Sequence, residues 1–119
     1  MPDRVFLFDV DGTLTEPRLK IESETEDVLL EWILTKNKKV YLVTGSDISK
    51  TTEQLGEHFI GTCLGVFTCS GNVFRQEGKV VYSNVFDPGD EFIADLELYL
   101  DNSQWRSKKG NHIERRPGM

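Results

Sequence analysis

Two aspartates separated by one residue stand directly after a short apolar run near the start of this 119-residue chain. Asp9 and Asp11 follow the apolar residues 5–8 and precede Gly12, in the string FDVDGTLT. Because side chains alternate along a strand, we expect both carboxylates to leave the end of a buried strand on the same side. Two carboxylates held close together attract a hard cation such as Mg²⁺. The pair therefore suits phosphoryl transfer, with one carboxylate attacking phosphorus and the other moving a proton.

An ordinary turn and a calcium-binding loop are the alternative interpretations of this string. Asp and Gly often occur together in turns, where they serve backbone geometry alone. An EF-hand loop starting at Asp9 would need Gly at position 14 and Glu at position 20, whereas the chain has Leu14 and Lys20. The preceding segment is also strand-like and not helical. The strand context favours catalysis over a plain turn.

The elements that would position the aspartates alternate between strands and helices. Apolar, β-prone runs predict strands at residues 5–8, 40–43 and 65–68. Helical patterns between them predict one helix over residues 23–36 and another from about 47 to 59. This alternation indicates a right-handed βαβ arrangement with a parallel sheet. Ligand sites in such sheets collect at the carboxyl ends of the strands, where the two aspartates would lie.

Local signals predict how these helices begin and which side of each faces the core. Ser23 and Glu26 have the spacing of a capping box, and Ser46 or Asp47 would cap the second helix. Apolar residues at helical spacing are expected to face the core, namely Val28, Leu29, Trp32, Ile33, Ile48, Leu55 and Phe59.

The pattern changes after the third predicted strand. Residues 72–75 and 79–82 flank Gln76-Glu77-Gly78 and predict a hairpin with glycine at its turn. A break at residues 87–90 precedes a predicted helix, whose apolar residues are Phe92, Ile93, Leu96, Tyr99 and Leu100. Residues 111–115 predict a final strand.

Composition narrows the class of protein and its partners. The net charge of −6 argues against a nucleic-acid partner. The sequence shows no apolar run of membrane-spanning length and no secretory signal, so we expect no membrane association and a cytoplasmic location. Cys63 and Cys69 are predicted to be reduced packing residues. Residues 101–119 carry a net charge of +3, which suits either a solvated face or contact with a phosphorylated substrate.

The string FDVDGTLT resembles the first motif of the haloacid dehalogenase (HAD) superfamily of phosphotransferases. The longer stretch FDVDGTLTEPRLKI, followed by VTGSD and GNHIERRPGM, is similar to eukaryotic-type phosphomannomutases. The likeness runs from about Phe6 to Met119 and covers the first half of those enzymes. It implies an α/β fold with a partial HAD-like (Rossmannoid) parallel sheet in residues 1–84. Residues 85–119 would begin an α+β cap domain.

The resemblance also assigns roles to particular residues. Asp9 would be the phosphoryl-accepting nucleophile and Asp11 the general acid/base, with both contributing to a Mg²⁺ site. Arg18, in the string TEPR, matches an arginine that contacts substrate in the family, and Arg116 matches an arginine of the cap.

A second motif lies at the end of the second predicted strand. The hydroxyl of Thr44 and the N–H groups that follow, beginning at Gly45, would hold a phosphate oxygen at the start of the next helix. In the family a Thr or Ser at this place binds the transferring phosphoryl group. A plain N-cap at this helix requires no ligand and is compatible with the same sequence.

The activity that the resemblance implies is the interconversion of mannose 6-phosphate and mannose 1-phosphate through an aspartyl-phosphate, on the route to GDP-mannose. The implied partner is a hexose phosphate, and a complete cap would support a homodimer. Two other readings stay open: a HAD sugar-phosphate phosphatase, or a non-catalytic fragment. The family's later Lys and its acidic Gly-Asp motif are missing here. We therefore expect a partial gene product, a splice form or half of an assembly.

Overall fold

The computed structural model of the chain describes residues 4–84 and 88–104, in which five strands form one sheet. The strands are β1 (Val5–Asp9), β2 (Lys39–Val43), β3 (Gly65–Thr68), β4 (Val73–Gln76) and β5 (Lys79–Ser83). The helices are α1 (Ser23–Thr35), α2 (Ile48–Leu55), α3 (Glu57–Thr62) and α4 (Asp90–Asn102). The α/β class predicted from the sequence is confirmed, as is the hairpin of β4 and β5.

The strands lie across the sheet in their sequence order, which decides where the helices pack. β1, β2 and β3 are parallel, and β4 and β5 extend the sheet antiparallel. Residues of α1, α2 and α3 belong to one core cluster with residues of the strands, so the helices of both parallel crossovers lie on one face of the sheet. Right-handed crossovers that advance in one direction are expected to give this arrangement. On this face Phe6 and Phe8 contact Trp32 of α1, with ring centroids 5.0 and 6.2 Å apart. Leu42, in β2, is fully buried here.

The opposite side of the sheet, called the open face below, carries apolar side chains that remain accessible. Leu7 is 64% exposed, although its neighbours in β1 pack in the core. A row of neighbouring rings crosses the next four strands, formed by Tyr41, Phe67, Phe74 and Tyr82, of which Phe67 and Phe74 are stacked and the other pairs tilted. The centroids of Phe67 and Phe74 are 4.3 Å apart. Gly65 makes room for this packing, since a Cβ there would lie 2.6 Å from the Phe74 ring.

The first helix differs from its prediction at two points. Its N-cap is Glu22, which makes no side-chain capping hydrogen bond, so the predicted capping box at Ser23 is wrong. The entering chain is already fixed one residue earlier, where the Ile21 N–H donates to the Gln54 carbonyl at 2.9 Å. Val28 is 67% exposed, contrary to its predicted core position. The sheet packs against the side of α1 that carries Leu29, and Val28 lies about 100° around the helix from it.

The second predicted helix is two helices. Gly56, with φ 82°, separates α2 from α3, and a residue in this left-handed conformation ends a helix. Asp47, one of the two predicted caps, accepts a hydrogen bond from the Lys50 N–H at 2.9 Å. Leu55 and Phe59 are buried as predicted, and Ile48 packs against the same core. Cys63 and Cys69 are free and buried, which confirms the prediction for both.

The last described helix, α4, lies where it was predicted but has no buried residue. Phe92 and Tyr99 are 53% and 72% exposed, so this helix contributes little to the core. The predicted domain boundary after residue 84 and the predicted strand at 111–115 lie outside the described residues and stay predictions. No helix in residues 4–84 and 88–104 has the length and apolar character needed to cross a membrane.

Candidate active site

A tight turn carries the chain away from the end of β1. The carbonyl of Val10 accepts hydrogen bonds from the N–H groups of Thr13, Leu14 and Thr15, at 3.2, 3.0 and 3.2 Å. Gly12, with φ 78°, donates in return to the Thr15 carbonyl at 2.8 Å. Val10 is fully buried and Leu14 is 8% exposed, which anchors the turn in the core. The turn therefore holds its polar side chains in fixed places at the carboxyl edge of the sheet.

Asp9 is the last residue of β1 and is exposed at that edge. Its Oδ2 accepts a long hydrogen bond from the Thr13 hydroxyl, at 3.4 Å. A hydrogen bond of this length holds the carboxylate only weakly. The Asp9 carboxylate is thus accessible to a ligand, and its role as a nucleophile stays a prediction.

Asp11 is half-buried and more tightly held. Its Oδ1 accepts hydrogen bonds from Gln54 Nε2 at 2.6 Å and from the Arg18 main-chain N–H at 3.1 Å. The Gln54 hydrogen bond, followed by that of the Arg18 main chain, holds the pKa of Asp11 below its ordinary value of 3.8. The positive charges of Arg18 and Lys50 act in the same direction, and partial desolvation opposes them. Asp11 is therefore a carboxylate at neutral pH.

Gln54 is the site residue that sequence reasoning missed. It lies on α2 and is only 2% exposed, together with Thr51 and Leu55 on the same side of that helix. A polar residue at an inward helical position was the available signal, since buried polar groups need partners. The partner itself is 43 residues earlier in the chain, at Asp11, so spacing did not reveal it.

Arg18 lies beside Asp11, which brings two of the predicted site residues together. Its main chain has φ 64°, a left-handed conformation that is uncommon for a residue other than glycine. This conformation directs the N–H group to Asp11 Oδ1. The Arg18 residue is exposed. The loop therefore supports Asp11 through its main chain and carries a cation close to it.

The second motif lies at the same edge of the sheet. β1 pairs with β2 in a register that places Asp9 opposite Val43, so Thr44 follows one residue beyond Asp9's partner. Thr44 is 3% exposed, and its hydroxyl oxygen accepts a hydrogen bond from the Ser46 N–H at 3.1 Å. A hydroxyl that accepts in this way keeps its own proton to donate. A Cβ on Gly45 would meet only Ser70 Oγ, at the ordinary distance of 3.5 Å.

A strained segment after β3 supports this second motif. Cys69 and Ser70 have φ values of 51° and 57°, and Gly71 continues the left-handed run. Left-handed conformations of residues other than glycine persist only where the surroundings fix them. Here the Ser70 N–H donates to the Thr44 carbonyl at 3.0 Å, and the Cys69 N–H donates to the Ser46 carbonyl at 2.9 Å. The segment thus fixes the loop that carries Thr44.

The donor set is consistent with a magnesium ion bound through few protein ligands. Among the described residues there is no group of three or more His, Cys, Asp or Glu side chains that could enclose a metal. Mg²⁺ commonly uses one or two carboxylates, with waters and substrate phosphates completing its shell. The exposed Asp9 carboxylate fits this use. Asp11 Oδ1 is already engaged by two donors, which leaves that oxygen poorly suited to a metal.

A groove of about 630 Å³ is lined by the turn that follows the aspartates, although neither Asp9 nor Asp11 lines it. Its wall starts at Gly12 and Thr13 and continues through Pro17 to Thr25 near the start of α1. The charged residues of this wall are Lys20 and the two acidic residues Glu16 and Glu22. The groove therefore offers space for a polar molecule next to the turn. Arg116, the remaining predicted site residue, lies outside the described residues, and its role stays a prediction.

The chain is similar in sequence to known proteins. A family model described as haloacid dehalogenase-like hydrolase matches residues 6–104. The chain is 37% identical to a phosphomannomutase of Triticum aestivum, over 95% of this chain and 47% of that protein. It is 33% identical to phosphomannomutase 1 of Dictyostelium discoideum, over 100% of this chain and 49% of that protein. The chain thus spans about half the length of these curated relatives.

Solved structures share the same fold. A HAD-superfamily phosphatase of Bacteroides thetaiotaomicron superposes with a TM-score of 0.56 and 25% identity, over 83% of this chain and 35% of that chain. The matched family model covers most of the chain, including both aspartates, Arg18 and Gln54. This 119-residue protein is a member of the haloacid dehalogenase-like hydrolase family, with phosphomannomutases among its relatives.

Proposed function

We propose that this chain carries part of the active site of a phosphomannomutase-like enzyme. The enzyme would interconvert mannose 6-phosphate and mannose 1-phosphate, and so supply the sugar phosphate for GDP-mannose synthesis in the cytoplasm. The observation that carries the proposal is that the two aspartates, although they are close in the chain, differ in exposure and in the hydrogen bonds that hold them. Asp9 is exposed and weakly held, whereas Asp11 is held as a carboxylate by Gln54 and Arg18.

Phosphoryl transfer through Asp9 needs a proton acceptor that is ionised at neutral pH. In one half-reaction a sugar hydroxyl attacks phosphorylated Asp9. The O–P bond to Asp9 breaks, a new O–P bond forms on the sugar, and Asp11 takes the hydroxyl proton. In the reverse half-reaction Asp11 returns this proton to the leaving sugar oxygen while Asp9 attacks phosphorus. The hydrogen bonds to Asp11 Oδ1 favour the ionised form from which the first of these steps begins.

Other residues would bind the substrate and the metal. Asp9, through its carboxylate, and Asp11, through its main-chain carbonyl, would hold Mg²⁺, which offsets the negative charge of the transferring phosphoryl group when it is bound. Arg18 would contact the sugar phosphate, since a guanidinium binds phosphate through two parallel donors. Thr44 and the N–H of Gly45 would hold an oxygen of the transferring group. Arg116 would bind the distal phosphate, and a complete cap would pair two copies.

An aspartyl-phosphate on Asp9 is the central test. The complete gene product that carries these residues should become labelled by a ³²P-labelled hexose bisphosphate, and hydroxylamine should remove the label. Asp9→Asn should abolish both the label and the conversion of mannose 1-phosphate to mannose 6-phosphate. Asp47→Asn, in the cap of α2, is the control for loss of a carboxylate and should keep the label. Undiminished turnover by the Asp9 variant would refute the assignment.

A HAD sugar-phosphate phosphatase is the second candidate. It is favoured by the structural similarity to the Bacteroides phosphatase and by the description of the matched family as hydrolases. The two activities share Asp9 and Asp11 and differ in the acceptor of the phosphoryl group, which is water or a sugar hydroxyl. Mannose 1-phosphate, with a hexose bisphosphate as primer, separates them: isomer favours the mutase and free phosphate the phosphatase. If neither the isomer nor free phosphate is formed, the result favours a non-catalytic chain.

A further inference from the structure

We infer that Gln54 is a positioning residue that locks Asp11 and the Arg18 loop, residues 16–21, into one unit and leaves Oδ2 of Asp11 as the proton-transferring oxygen. This inference rests on the proposed function of Asp11. Gln54 itself would touch neither substrate nor metal. It would act by fixing where the carboxylate points and by fixing the loop that carries Arg18 at the same time.

The contacts of Gln54 reach several parts of the site from one buried point. Its Nε2 donates to Asp11 Oδ1 at 2.6 Å and lies 3.4 Å from both Thr15 Oγ1 and the Leu19 carbonyl. Its main-chain carbonyl accepts from the Ile21 N–H at 2.9 Å. The residue is 2% exposed, so these contacts are shielded from water. One residue of α2 thus contacts the turn after β1 and the second half of the loop that leads to α1.

The two donors on Asp11 assign different tasks to its two oxygens. Oδ1 receives N–H groups from both Gln54 and Arg18. A carboxylate oxygen has two lone-pair positions, so these donors fill Oδ1 and a proton must go to Oδ2. Rotation of the carboxylate would break both hydrogen bonds. Asp11 therefore offers one oxygen in one orientation to the reacting hydroxyl.

The oxygen of the Gln54 amide indicates that position 54 requires a hydrogen-bond donor. Gln54 Oε1 is buried and accepts no hydrogen bond from any described residue. Exchanging the amide's O and N would place Oε1 against the Asp11 carboxylate, where two acceptors repel each other. The orientation with the unpartnered oxygen is therefore the one that keeps an N–H group on Asp11, with the other N–H group on the side of Thr15 Oγ1 and the Leu19 carbonyl. An apolar residue of similar length would fill the same space without any donor.

Two half-reactions separate positioning from structural support. Phosphorylation of Asp9 by acetyl phosphate needs no proton on its leaving group, because acetate is a weak base. Transfer from Asp9 to a sugar hydroxyl needs Asp11 to take a proton. In the complete gene product, Gln54→Met should slow the sugar transfer at least about tenfold, since general acid–base catalysis contributes roughly 10²–10⁴-fold. Phosphorylation by acetyl phosphate should change less than about twofold, because that step does not use Asp11.

Matched variants complete the test. Thr51→Val removes another buried polar group from the same face of α2 and should leave both half-reactions unchanged. Among the described residues, the Thr51 hydroxyl donates only to the Asp47 carbonyl within the helix. Gln54→His keeps an N–H donor and should recover part of the lost sugar transfer. Equal loss in both half-reactions, or no loss in either, would overturn the inference. If Gln54→Met does not fold, Gln54→Leu, which also lacks the donor, carries the test, and wild-type sugar transfer in that variant would overturn the inference.

A readout without activity keeps this inference separate from the proposed function. Hydrogen exchange of the Arg18 amide, whose N–H donates to Asp11, should be faster in Gln54→Met and unchanged in Thr51→Val. Unchanged exchange in the Met variant would overturn the positioning role even in a fully active enzyme. Faster exchange in a protein that forms no aspartyl-phosphate would leave the loop support intact and refute the proposed function instead.

Discussion

Replacing Asp11 with Asn should lower the stability of the protein at neutral pH and leave it unchanged in acid. The amide oxygen of Asn can still accept from Gln54 Nε2 and the Arg18 N–H, so both hydrogen bonds persist without the charge. A hydrogen bond to a charged group contributes about 1.5–3 kcal/mol and a neutral one about 0.5–1.5 kcal/mol. Two such bonds to a half-buried group therefore predict a loss of about 1–2 kcal/mol in the free energy of unfolding.

The pH dependence follows from the direction of the pKa shift. The folded-state pKa of Asp11 is below 3.8, so its ionised form stabilises the fold at pH values above 3.8. This contribution is lost as the pH falls through the folded-state pKa. Wild type should consequently be more stable than Asp11→Asn at pH 7, and the difference should shrink as the pH falls below 3.8. Urea unfolding of the metal-free protein, followed by circular dichroism at several pH values, measures this difference.

Asp9→Asn is the matched control for the same measurement. Its carboxylate lies on the same turn, but it is exposed, and from the described residues it accepts one hydrogen bond, of 3.4 Å. Any relief of repulsion between the two carboxylates is shared by both variants, so the difference between them isolates the support of Asp11. A stability gap for Asp11→Asn that does not change with pH would refute the reasoning. So would an equal loss in the Asp9 variant.

Three further predictions concern the turn and the core. Gly12→Ala should cost about 1–2 kcal/mol in unfolding free energy because φ is 78° there and not because of crowding, and thermal unfolding would show it; an unchanged midpoint would contradict the assigned turn. Phe59→Ala, at a position 1% exposed, should cost about 3–5 kcal/mol in urea unfolding, whereas Val28→Ala, at an exposed position of α1, should cost little. Burial raises the pKa of the Cys63 thiol to about 12 from an ordinary 9.0. Cys63 should therefore react slowly with thiol reagents at pH 8 until the chain unfolds, and its contribution to stability should fall as the pH rises above 9. Rapid modification of native Cys63, mapped by mass spectrometry, would contradict its burial.

Local patterns predicted the strands and helices well, because the apolar pattern of each element lies within its own consecutive residues. The apolar runs that became β1, β2 and β3 were sufficient to predict the parallel sheet and to place the aspartates at its edge. Periodicity indicates that a helix has an apolar side but does not fix its centre. This is why Val28 was assigned to the core and is exposed. The helix break at Gly56 was not predicted, since a single glycine inside an otherwise helical pattern is compatible with a continuous helix.

The candidate site was predicted where topology alone brings residues together. Asp9 and Thr44 share an edge because parallel strands end at the same side of a sheet, and the register places them there. Gln54 could not be found in this way, since its contact with Asp11 depends on the rotation of α2 against the sheet. The left-handed conformation of Arg18 was equally hidden, because nothing in its residue type requires it.

The open face has a thermodynamic consequence. The heat capacity change of unfolding grows with the apolar surface that unfolding newly exposes to water. Leu7 is already 64% exposed and Val5 54% exposed in the folded chain, so their contribution to that change is small. A sheet covered on one face should therefore give a lower heat capacity change per residue than the roughly 12–15 cal/mol/K of ordinary globular domains. The free energy of unfolding would then vary little with temperature. Its decrease per molar urea would also be small for a chain of this length.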